Sequence, residues 1–77
     1  MKNKDIAKKI LNLVKEDNIT YLTHCATRLR FNVKDEDIID LNALSQIEGV
    51  LTAQFKNGQL QIVIGAKVEG VFDELMS

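Results

Sequence analysis

Apolar residues Ile6, Ile10, Leu13 and Val14 recur at the three- and four-residue spacing of one helical face, with lysines among the polar positions between and around them. Asn3 stands where it can cap that helix, Asp5 falls in its first turn and Asn18 can end it, so the pattern predicts a helix over residues 4 to 17. The period then shortens to two. Residues 19 to 23 are β-branched and aromatic, and residues 27 to 33 alternate Leu29, Phe31 and Val33 with Arg28, Arg30 and Asn32. Two strands are predicted there, with Cys25 in or beside their connection. Asp40 can cap a short helix running to Ile47, with Leu41, Leu44 and Ile47 as its apolar residues and Gly49 ending it. Residues 50 to 55 and 59 to 64 flank Asn57-Gly58, a dipeptide suited to the positive φ angles of a type I′ hairpin. After Gly65, the residues Val68, Val71, Phe72 and Leu75 mark a last helix.

The predicted order is α-β-β-α-β-β-α, an α+β fold with a four-stranded antiparallel sheet and three helices packed on one face. One-sided cover has a consequence for chemistry. If Leu29, Phe31 and Val33 point toward the helices, Arg28 and Arg30 point away from them, and by the same alternation Gln59, Gln61 and Val63 oppose Leu60, Ile62 and Ile64. The uncovered face is expected to carry Arg28, Arg30 and Gln61, with Cys25 at its rim.

Composition narrows the function classes. A chain of 77 residues is read as one domain, 1–77, with no repeat, linker or low-complexity tract. Ten basic and eleven acidic side chains leave a net charge of −1, and no basic stripe suited to nucleic acid is present. A single cysteine rules out an internal disulfide and any CxxC site, so a reducing cytosolic setting is the default expectation. No apolar run approaches the ~20 residues of a membrane span, so no direct membrane insertion is expected. No metal-ligand cluster, dinucleotide fingerprint or P-loop occurs, and neither a metal nor another cofactor is expected.

The chemistry is concentrated in Tyr21-Leu22-Thr23-His24-Cys25-Ala26-Thr27-Arg28-Leu29-Arg30-Phe31. The thiolate is the reactive form of cysteine, and nearby cations favour it. Two guanidiniums can then hold an anionic group attached to sulfur, since their planar forks match phosphate oxygens. Thr27, through its hydroxyl and the loop amides around it, can complete the donor set. His24 can hydrogen-bond the thiol or thiophosphate, or be an ordinary strand-end histidine.

Thr23 to Phe31, followed by Ile47-Glu48-Gly49-Val50 and Gln61-Ile62-Val63-Ile64-Gly65, resembles the enzyme IIB domain of the bacterial sugar phosphotransferase system, glucose superfamily. Thr-His-Cys-Ala and Phe31 are closer to the β-glucoside, sucrose, trehalose and N-acetylmuramate branch than to the glucose branch, which tends to have an acid where Thr23 stands. The resemblance implies an antiparallel sheet covered by helices on one side. It also implies a phosphotransferase activity, with Cys25 as a phosphocysteine. Cys25 would take phosphate from the phosphohistidine of a IIA domain and pass it to a sugar held by the membrane-embedded IIC domain. Arg28 and Arg30 match arginines associated with that transfer, and Gln61 matches a glutamine near the site. A cytoplasmic domain, tethered to the membrane where it is fused to IIC, is the implied location.

Other readings of the same residues are weaker. A lone cysteine in a small domain is often an inert core residue, but here arginines follow at +3 and +5. A tyrosine-phosphatase loop needs arginine six places after its cysteine, and Phe31 stands there. A redox enzyme would have a resolving cysteine. The remaining alternative is a regulatory or interaction module that keeps the fold without turning over phosphate.

Overall fold

The structure is a computed structural model and describes residues 2–77. Helix α1 covers Asn3–Val14, strands β1 and β2 cover Ile19–His24 and Arg28–Val33, helix α2 covers Leu41–Ser45, strands β3 and β4 cover Thr52–Lys56 and Gln59–Val63, and helix α3 covers Val68–Met76. The strands form one antiparallel sheet in the order β1-β2-β4-β3. The α-β-β-α-β-β-α order read from the sequence is the observed one. Two short 3-10 turns, Glu16–Asn18 and Glu36–Ile38, lie at the ends of α1 and β2.

One side of the sheet is dry. Leu29, Phe31, Leu60 and Ile62 are fully buried against Ile6, Ile10 and Val14 of α1, Leu44 of α2 and Val71 of α3. Each such side chain gains about 1.5 to 3 kcal/mol from leaving water. Among the described residues no helix covers the opposite side, which bears the alternating polar residues of the central strands β2 and β4.

Element ends differ from the expectation in ways that have local causes. Helix α1 stops at Val14, three residues early, because Lys15 takes φ 74° while its N–H closes back to Leu11 O at 2.9 Å. Asn18 therefore does not end the helix. Its side chain accepts from Asp35 N–H at 2.8 Å and donates to Asp35 O at 3.0 Å, clasping the start of β1 to the end of β2. Asn3 is inside α1 rather than its cap, and a Cβ at Gly70 of α3 would meet its amide. Asp40 does cap α2, its Oδ1 accepting from Ala43 N–H at 3.0 Å, but α2 ends at Ser45 rather than Ile47.

The β3–β4 hairpin is the one the sequence described. Asn57 and Gly58 have φ of 55° and 77°, the mirror-image turn whose twist matches its strands. The two-residue turn pairs Lys56 with Gln59, Gln54 with Gln61 and Thr52 with Val63. Strand β4 ends at Val63, and just beyond it the N–H groups of Ile64, next in the β2–β4 register, and of Gly65 both bond Thr27 O, at 2.9 and 2.8 Å. That carbonyl anchors the loop carrying Cys25.

Candidate functional site

Cys25 lies in the turn between β1 and β2, half-buried at one end of the open face. Around it is a depression of about 390 Å³ lined by Cys25, Thr27, Arg28, Arg30, Lys56, Asn57, Gln59 and Gln61. Three of those eight residues are cations and none is an acid. The charge separation extends to the whole sheet: β1 to β4 contain no Asp or Glu, so every carboxylate lies on a helix or a connection. An anion meets attractive charge on this face and no opposing carboxylate among the residues lining the depression.

The sheet register orders the donors. Arg30 pairs with Gln61 across β2 and β4, and Gln61 pairs with Gln54 across β4 and β3. Gln61 is thus on the open face as alternation requires, yet only 3% exposed, a buried amide on a wet face. Its Oε1 accepts from Arg28 Nη1 at 2.7 Å, so one guanidinium is held by a side chain that is itself buried. Arg30 has a buried Nε with no hydrogen-bond partner among the described residues. A buried donor left unmet costs free energy, and an anion at the sulfur is the kind of group that would relieve it.

The Cys25 thiol is held below its ordinary pKa. The main cause is the Thr27 backbone N–H, which hydrogen-bonds the sulfur; partial burial opposes it, and the Arg28 N–H and the Arg30 guanidinium add to it through hydrogen bonds and charge. These are the groups a sulfur-bound phosphoryl oxygen would also find. The turn presents them because its carbonyls are occupied elsewhere, Thr27 O by Ile64 and Gly65.

Five of the six residues singled out from the sequence come together here: Cys25, Thr27, Arg28, Arg30 and Gln61. His24 does not join them. It pairs with Leu29 and so points toward the helices, where its ring lies 4.5 Å from that of Phe72 at 52°, and its Nδ1 is 3.0 Å from Cys25 O. Lys56 and Asn57 line the depression and were not anticipated; Gln59, which alternation had placed on the outward face, lines it as well. The signal for Lys56 was available: a two-residue Asn57-Gly58 turn sets it opposite Gln59, on the face of Gln61. No group of three or more potential metal ligands occurs among the described residues.

The family profile described as phosphotransferase system, EIIB, matches residues 8–40. The chain is 46% identical over 67 residues to a probable PTS system sucrose-specific EIIBC component of Bacillus subtilis, covering 86% of this chain and 15% of that protein. It is 46% identical over 61 residues to a PTS system arbutin-, cellobiose-, and salicin-specific EIIBC component of Escherichia coli, covering 79% of this chain and 13% of that protein. The chain therefore spans less than one sixth of the length of these two relatives. A crystal structure of one domain of the PTS system IIabc component from Clostridium difficile superposes with a TM-score of 0.82 at 37% identity, over 95% of this chain and 74% of that one. Sequence and fold agree, over nearly the whole chain, that this protein belongs to the EIIB family of the phosphotransferase system.

Proposed function

We propose that residues 1–77 form a single phosphocarrier domain in which Cys25 relays a phosphoryl group during sugar uptake. The observation that carries this reading is the lowered pKa of a thiol set in an acid-free, arginine-lined depression. A thiol held below its ordinary pKa suits both halves of a relay, because the same stabilisation raises the share of nucleophilic thiolate and makes the sulfur a readier leaving group.

In the first half, the Cys25 sulfur attacks the phosphorus of a phosphohistidine on a IIA domain. The S–P bond forms as the N–P bond breaks, and the electron pair returns to the imidazole nitrogen, which takes up a proton. In the second half, a sugar hydroxyl oxygen held by a IIC membrane domain attacks the same phosphorus. The O–P bond forms, the S–P bond breaks, the thiolate is restored and the hydroxyl proton is lost to the acceptor's surroundings. In-line transfer of this kind depends on positioning and charge stabilisation rather than covalent help from the protein. Arg28, fixed by Gln61, and Arg30 supply the charge, while Thr27 and the amides of its turn supply further donors. An open sheet face suits exchange between two large partners, since each must reach the sulfur in turn.

No helix among the described residues is long and apolar enough to cross a membrane. The chain works beside a membrane component, at the inner face of the cell membrane, with sugars of the sucrose and β-glucoside kind as the acceptors suggested by its relatives. The test is mass spectrometry of the intact protein and its peptides after incubation with a phosphorylated IIA donor. One phosphate on Cys25, absent from Cys25→Ser with that variant still folded, is the expected result. No phosphate on the wild-type chain, with donors shown to be active on another EIIB domain, would leave a regulatory module in its place.

A further inference from the structure

The β1–β2 turn is an incomplete hairpin. The register that pairs Thr23 with Arg30 and His24 with Leu29 brings Cys25 opposite Arg28 next, and such alternate pairs exchange two backbone hydrogen bonds. Only one is made. Cys25 N–H donates to Arg28 O at 3.0 Å, and the reciprocal bond from Arg28 N–H to Cys25 O is absent among the described residues. The Cys25 oxygen accepts from His24 Nδ1 instead, at 3.0 Å. A carbonyl can only accept, so Nδ1 carries the proton. Ala26 and Thr27 both keep negative φ, unlike Asn57 and Gly58 in the closed β3–β4 turn, and two-residue turns of that hand fit poorly between twisted strands.

We propose that His24 is a positioning residue: by donating Nδ1–H to the Cys25 carbonyl, it draws that oxygen out of the hairpin ladder and leaves the Arg28 N–H free to point at the Cys25 sulfur. Three observations meet in this assignment. The imidazole is placed by α3, through Phe72, on the side of the sheet away from the depression, so it can act on the turn without contacting the transferred group. The peptide after Cys25 is trans, so a carbonyl held toward His24 turns the Ala26 N–H the opposite way, as a further donor with no backbone partner among the described residues. The Thr27 carbonyl is tied in the same fashion by Ile64 and Gly65, so both flanking peptides of the turn have their oxygens secured outside it. The Arg28 N–H is also one of the groups that favour the thiolate, which is what a freed donor should do.

The inference deepens the phosphocarrier reading, yet its test uses the unphosphorylated thiol and stands apart from it. Nitrogen-15 NMR of His24 in the wild-type domain should show the proton on Nδ1. In His24→Phe, which keeps a ring against Phe72 but removes the donor, the Arg28 amide should become protected from exchange as the ladder closes. Alkylation of Cys25 by iodoacetamide at neutral pH should fall about tenfold, the size expected for losing one hydrogen bond to a charged sulfur. His24→Asn, whose Nδ2 can take the place of Nδ1, should recover most of that rate. A wild-type His24 protonated only at Nε2, or a folded His24→Phe with unchanged Cys25 alkylation, overturns the proposal. The NMR result decides it even where a variant fails to fold. Absence of phosphate on wild-type Cys25 would end the phosphocarrier reading and leave this one standing.

Discussion

Arg28 Nη1 donates a 2.7 Å hydrogen bond to Oε1 of Gln61, a residue 33 positions later in the chain and almost without solvent exposure. The pair crosses from β2 to β4 on the open face. A long, flexible cation is thereby held beside the depression by an amide that is itself buried in the sheet.

Removing that support should separate charge from placement. Gln61→Leu keeps the bulk but leaves Arg28 unguided, and phosphoryl transfer from a IIA donor should slow about 10- to 100-fold, the value of a hydrogen bond to a charged group. Arg28→Lys should lose as much, since an ammonium cannot reproduce the fork. Stopped-flow or quench kinetics of Cys25 phosphorylation would check both, and a wild-type rate in either variant would remove that side chain from the site.

Cys25 reactivity should depend on pH with a midpoint below that of an unfolded peptide of the same sequence, because the turn amides and Arg30 favour the thiolate. The sign follows from linkage: a folded-state pKa lowered below the unfolded value adds stability that is present above the unfolded pKa and lost as pH falls through the folded one. Arg30→Gln should move the alkylation midpoint upward, toward the peptide. A midpoint that stays where it is would show that the backbone amides act alone.

Lys56 is exposed at the rim, so its contribution should be one of approach rather than bonding. Lys56→Glu puts an acid into a lining that has none. The second-order rate of phosphorylation should fall about 3- to 10-fold at low ionic strength, and the difference should shrink as salt is added. A salt-independent loss would mean that Lys56 touches the transferred group.

Gly49 is the position where the fold should be least tolerant of a methyl group. Its φ is 101°, and an added Cβ would stand 2.6 Å from Ile6 Cδ1. Gly49→Ala should cost about 2 to 4 kcal/mol, combining the left-handed backbone with crowding of α1. Thermal unfolding would read this directly, and phosphorylation measured well below the lowered midpoint should be nearly unchanged.

Much of the fold was legible in the chain itself. Periods of 3.6 and 2 in Ile6-Ile10-Val14 and Leu29-Phe31-Val33 name the element types because burial on one side imposes them, and Asn57-Gly58 marks its turn because few other pairs accept two positive φ angles. Element ends were less legible. Asn18 reads locally as a helix stop, but its amide is claimed by Asp35, and no local pattern announces a bond between residues 17 positions apart.

The candidate site divides along the same line. Alternation alone determined that Arg28, Arg30 and Gln61 share the uncovered face near Cys25, since side chains on a strand have only two directions to take. Which of them touch, and which peptide groups meet the sulfur, depended on sheet order and register. Only the placement of β4 between β2 and β3 brings Gln61 to Arg28 and Lys56 to the rim. Only the pairing of His24 with Leu29 turns the imidazole toward Phe72 and away from the depression, because a cross-strand partner fixes the face and the sequence does not print the partner.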